Sequence, residues 1–159
     1  MENFELLAAV FYLAGGRIKG ATRLHKLMFL IQQEVGLGRF QFQPSKYGPW
    51  SPDLEELIGK LEAQGLLKAE EVEDNKYRER PVKIFTAAPN LLEVGKATYE
   101  KLRRVDPPTA LLLRHKVNLY SRLAITYLIV YVYRRYPEYA LNSTIWDKVK
   151  EWQRIYKQD

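Results

Sequence analysis

Apolar positions along this chain fall into blocks with two different periods. Phe4, Leu7, Ala8, Phe11 and Ala14 recur at helical spacing and stop at Gly15-Gly16, which predicts a helix over residues 3–14. Leu24, Leu27, Met28, Ile31 and Val35 trace a second stripe over 23–35, with Thr22 as its cap. Phe29 and Leu30 widen that stripe, so burial over much of the helix surface is expected. Arg17 to Gly20 reads as a connector between the two. The third helix is the best specified. Ser51 offers a hydroxyl acceptor at the N-cap, and Pro52 stands where a missing N–H costs nothing. Asp53 complements the helix dipole, and Leu54, Leu57, Ile58 and Leu61 share one face before Gly65 closes the helix.

The pattern then changes. Leu66 to Val72 and Val82 to Thr86 read as two strands joined by the polar loop Glu73 to Arg80, with Pro81 at the mouth of the second. Asn90 and Glu93 resemble a capping box ahead of a helix over 91–104. Asp106-Pro107-Pro108 marks a boundary, and Thr109 to Tyr136 reads as one long helix beyond it. Residues 123–133 within it are apolar except Thr126, but Arg122 and Arg134 flank a run too short to span a bilayer. Pro137 ends that helix, Asn142 or Ser143 can cap the next, and Ile145, Val149, Trp152 and Tyr156 form a final stripe. The resulting expectation is a mainly α fold with a small β-hairpin. It comprises a winged helix-turn-helix core over 1–105 and a C-terminal helical extension over 106–159, packed on the core or forming a dimer interface.

Composition adds limits. The 159 residues are 47% hydrophobic and 28% charged, an ordinary soluble balance. Without cysteine there are no disulfides, thiolate metal sites or cysteine nucleophiles, in keeping with a reducing cytoplasm. Acidic residues stand at the N-terminus where a signal peptide would be positive, so a cytoplasmic location and no membrane are expected. The net charge of +6 is uneven: residues 1–50 carry six Lys/Arg against three Asp/Glu, 51–105 ten against eleven, and 106–159 nine against five.

Three motifs carry a resemblance. Leu24-His25-Lys26-Leu27-Met28-Phe29, Tyr47-Gly48-Pro49-Trp50-Ser51 and Tyr136-Pro137-Glu138-Tyr139 make the chain similar to the YwgA-like group of small prokaryotic proteins. More distantly it resembles the Panacea domain of antitoxins. Those families place a Lys-Leu-rich helix before a Tyr-Gly-Pro-aromatic-Ser turn and an acidic-leucine helix. Arg23-Leu24-His25-Lys26 departs from their usual Lys-Leu-Gln-Lys. The resemblance implies a winged-helix-like core and, on the Panacea side, toxin binding; it brings no catalytic residues.

Two functions follow as expectations. In the first, the protein is a transcriptional regulator that contacts duplex DNA through a basic wing, Lys76, Arg78, Arg80 and Lys83, and through Arg17, Lys19, Arg23 and Lys26 near the second helix. The third helix would not read bases, because Asp53, Glu55, Glu56 and Glu62 face a single Lys60. In the second, the protein is an antitoxin or adaptor that grips a partner protein with that acidic helix and the turn Tyr47, Gly48, Pro49, Trp50 and Ser51. The same aromatics could instead pack under the third helix. Tyr120, Tyr127, Leu128, Tyr131 and Val132 make the long helix apolar on several faces and are assigned to a homodimer interface. Enzyme motifs are lacking: there is no phosphate-binding glycine loop, nucleophile elbow or paired-acid signature. With His25 and His115 as the only histidines, no metal or cofactor is expected.

Overall fold

The computed structural model describes residues 1–73 and 82–156. Helix accounts for 64% of it, so the chain is mainly α, with small antiparallel sheets. Helix α1, Asn3–Leu13, is followed by strand β1, Arg17–Lys19, and helix α2, Ala21–Val35. A short hairpin of β2, Gln43–Ser45, and β3, Gly48–Trp50, leads into α3, Pro52–Ala63. Strands β4, Leu67–Val72, and β5, Val82–Ala87, precede α4, Pro89–Val105. The C-terminal part holds α5, Pro107–Tyr120, α6, Ile125–Arg135, a 3-10 turn at Pro137–Ala140, and α7, Trp146–Tyr156.

Helix α2 occupies the centre. Leu24 to Ile31 are all buried, and the only polar residues among them are His25 and Lys26. Helices α5 and α6 pack on α2, and the core residues of α1, α2, α3, α5 and α6 belong to one apolar cluster. Helix α4 crosses α1 at Gly95, where a Cβ would collide with the Ala8 carbonyl. Only glycine permits that approach.

Arg17 to Lys19 is a strand and not a connector: it pairs antiparallel with β5, which also pairs with β4, giving the order β1-β5-β4. Ile18, Phe85 and Leu67 turn one face of the sheet inward, while Arg17, Thr86 and Lys68 line up exposed on the other. Three residues are too few to show a period-two pattern, so β1 leaves no signal in the sequence. Two helix starts also differ from expectation. Gly20, with φ +100°, and not Thr22, precedes α2. Helix α4 begins at Pro89 after extended Ala88, because proline's fixed φ suits the first helical position better than Asn90 suits a cap.

The expected helix from Thr109 to Tyr136 is broken between Tyr120 and Ile125. Arg23 accounts for the break. Its guanidinium donates to the carbonyls of Tyr120, Ser121 and Leu123, at 3.3, 3.4 and 2.6 Å. A helix end leaves such carbonyls without intrahelical partners, and the side chain of a different helix satisfies them here. The break folds α6 back onto α2. Its consequence for the assigned dimer interface is direct: Tyr120, Leu128 and Val132 are buried inside the chain at 3%, 0% and 0% exposure, so this surface is already occupied. Tyr131 donates to Glu34 at 2.8 Å, and Tyr127 packs edge-on against Tyr156. No helix among the described residues is long and apolar enough to cross a membrane.

Candidate functional site

The site is assembled where α2, the β2-β3 hairpin and α3 meet. Gln43 pairs with Trp50 and Ser45 with Gly48, which puts the tight turn at Lys46-Tyr47, two residues before the Gly48-Pro49 expected from the sequence. Gly48 has φ +108° and no room for a Cβ, which would lie 2.9 Å from Lys26 Nζ and 3.0 Å from Tyr133 Cε1. Both conditions demand glycine. Ser51 caps α3 as its sequence predicts, with Oγ accepting from the Leu54 N–H at 3.2 Å and donating to Asp53 at 2.6 Å.

His25 fastens this hairpin to α2. Its ring lies parallel to Trp50, with centroids 3.6 Å apart and planes 7° from parallel. The Ser51 N–H donates to Nδ1 at 3.0 Å, so Nδ1 is the acceptor and Nε2 carries the proton that it donates to Glu55 Oε1, also at 3.0 Å. Burial pushes the His25 pKa below its ordinary value, against the opposing pull of Glu55, and the ring stays neutral. The His25 hydrogen bond in turn holds the Glu55 carboxyl below the usual range, helped by the charge of Lys83.

Beside Trp50 opens a cleft of about 470 Å³ between α3 and the inner face of the sheet. Tyr47 and Trp50 contribute rings to its wall, and Ile58 and Phe85 add apolar surface. Among the described residues, three carboxylates line it, Glu55 and Glu62 from α3 and Glu71 from β4, against the cation Lys83. Glu71 stands opposite Lys83 in the sheet register. The cleft is therefore acidic as well as aromatic, and it joins residues whose charge was legible singly but whose convergence depends on β4 lying alongside α3.

No family model, curated protein or solved structure matches the chain.

The basic residues assigned to DNA that the structure describes take different positions. Arg17 and Lys19 are exposed on β1, and Lys83 lies in the acidic cleft. Arg23 is half-buried and engaged with the carbonyls after α5, besides the Lys19 carbonyl at 3.2 Å. Lys26 is 1% exposed; its ammonium donates to the Tyr47 carbonyl and sits 5.9 Å from the Tyr133 ring centroid. Arg23 thus ties the C-terminal helices to α2, and Lys26 ties the hairpin to it. Lys76, Arg78, Arg80 and Pro81, with the loop beyond Glu73, lie outside the described residues. Of the turn residues, Gly48, Pro49 and Ser51 are buried, while Tyr47 and Trp50 are half-buried and line the cleft.

Lys26, expected on DNA, and His25 are instead buried in α2, where polar side chains must be paired, since burying them unpaired costs several kcal/mol at roughly 2–7 per group. Which partners they take was not readable, because Ser51, Glu55 and Tyr133 lie 26 or more residues away. Among the described residues no group of three or more His, Asp or Glu could hold a metal ion.

Proposed function

We propose that this protein is a non-enzymatic interaction module, of winged-helix-like architecture, whose acidic and aromatic cleft captures a cationic segment of a partner protein. The element order helix, strand, helix, helix, hairpin and the strand order β1-β5-β4 support the architectural part. The observation that carries the functional part is the lining of the cleft: Glu55, Glu62 and Glu71 against Lys83, with Tyr47 and Trp50 beside them. Aromatic anchors ringed by charge are the features on which protein interfaces concentrate their binding energy. The antitoxin resemblance points to the same class of partner. In a winged helix this cleft lies between the helix and hairpin that would face DNA, and three carboxylates there would repel phosphate.

A second reading, DNA binding, retains the exposed cations Arg17 and Lys19 on β1, with Lys68 across Thr86 from Arg17 on the same sheet face and paired with Glu70 at 2.9 Å. One experiment separates the two. The full chain is used as bait in host extract, and the captured protein is then titrated against wild type and against Glu62→Lys and Glu71→Lys, both exposed positions. The interaction reading expects a stoichiometric partner whose affinity drops about tenfold or more with each charge reversal, about 1.4 kcal/mol. Duplex DNA binding that falls steeply with salt and is lost on Arg17→Glu would overturn it in favour of the second reading. Partner capture indifferent to both glutamate reversals would remove the cleft from the account.

A further inference from the structure

On α4 and α5 lies a second concavity, of about 440 Å³, that shares no residue with the acidic cleft. Arg103 from α4, Arg114 from α5 and Arg122 from the segment after α5 all line it. Among the described residues Glu100 is the one carboxylate in the wall, so their lining is cationic by two charges. Asn118 adds an amide, and Tyr12 and Tyr99 add rings whose centroids are 6.3 Å apart. Among the described residues, none of the three guanidiniums forms an ion pair or hydrogen bond, not even with Glu100.

That lack of partners contrasts with Arg23 near the start of α2, whose guanidinium is taken up by carbonyls. Each guanidinium presents up to five N–H donors in a planar fork suited to phosphate oxygens, and it cannot lose its charge. Three of them converging on one hollow repel one another until an anion enters. A single anionic oxygen cannot engage all three; a chain of phosphates can. The volume falls within the range of about 300–1,000 Å³ typical of small-molecule sites.

We propose that this groove is a binding site for an oligophosphate, as a free phosphate chain or as the phosphate moiety of a nucleotide. The proposal is independent of the acidic cleft, and its variants lie on different elements. The test is calorimetric titration of the full chain with inorganic tripolyphosphate, ATP and orthophosphate, at about 50 mM and about 300 mM salt. Tripolyphosphate should bind more tightly than orthophosphate, with affinity falling as salt rises. Arg103→Gln and Arg114→Gln should each weaken it by about tenfold. Arg154→Gln, an exposed arginine on α7, should leave it unchanged. ATP binding more tightly than tripolyphosphate identifies a nucleotide as the source, and equal binding identifies the phosphate chain alone; either supports the site. Because all three arginines are exposed, their glutamine variants should keep the wild-type unfolding midpoint. Absence of tripolyphosphate binding overturns the proposal. So does a loss that is the same for Arg154→Gln as for the groove variants.

Discussion

Replacing His25 tests the joint between α2 and the hairpin. In His25→Ala, the Ser51 N–H loses its acceptor at Nδ1 in a residue that is itself 0% exposed. An unsatisfied buried donor costs about 1–3 kcal/mol. Loss of the parallel stack on Trp50 removes about 0.5–1.5 kcal/mol. The void adds to this, since buried large-to-small replacements cost about 2–5 kcal/mol. Taking the low end of each, because the effects overlap, the variant should be destabilised by about 3.5 kcal/mol, or about 7–14 °C in Tm for a chain of this size. His25→Asn should behave differently. Its Oδ1 stands near the position of Nδ1 and can accept from Ser51, so the loss should fall to about 2 kcal/mol. Urea unfolding at constant m-value measures both. The pH dependence supplies an independent readout. His25 resists protonation when folded, whereas the unfolded chain takes up the proton near 6.5. Wild-type stability should therefore hold above about pH 6.5 and decline as pH falls below it. The Asn variant should lack that decline. An Ala variant within about 1 kcal/mol of wild type, or an Asn variant no better than Ala, would refute the assigned hydrogen bond from Ser51.

Other positions give sharp expectations. Gly48→Ala forces a Cβ against Lys26 and Tyr133 at φ +108°, and it should cost about 1–3 kcal/mol in urea unfolding, from strain alone. The Glu34 side chain is 8% exposed and accepts from Tyr120 at 2.6 Å, Tyr131 at 2.8 Å and Lys116 at 3.0 Å. Burial pushes its carboxyl up, but the bonds from Tyr120, Lys116 and Tyr131 outweigh burial and leave it below its ordinary 4.5. Glu34→Gln should lose about 2 kcal/mol at neutral pH. Because the folded carboxyl is the stronger acid, that contribution is present above pH 4.5 and disappears as pH falls further, so the two proteins should converge in acid unfolding.

Sequence pattern made the helical elements legible where a repeating stripe and a cap coincide. Ser51-Pro52-Asp53 placed the start of α3 to the residue, and the β4-β5 pair emerged from its alternation. What the pattern hid was the set of partners. Arg23 looks like any solvated cation at a helix start, yet it terminates a helix about a hundred residues later. Nothing local to Tyr120 signals an end to its helix, since the acceptor groups are backbone and the donor is remote. The apolar run at 123–133 is compatible with a dimer interface or with a core on sequence alone, and only the fold-back after Tyr120 decides for the core. The cleft was half visible: the acidity of α3 is plain, but Glu71 sits in a strand whose neighbour is set only when β4 packs alongside α3.

The polar anchors of α2 bear on how the protein is made. Arg23 and Glu34 find partners 82 to 100 residues downstream, and Lys26 lies under the Tyr133 ring. A ribosome adding about 5–20 residues per second exposes the central helix seconds before its cover is synthesised. During that interval the stripe from Leu24 to Ile31 is open on the side that α5 and α6 will close. The nascent chain is then a client for whatever shields apolar surface in the cell, and release comes only with the arrival of Tyr133 at the exit.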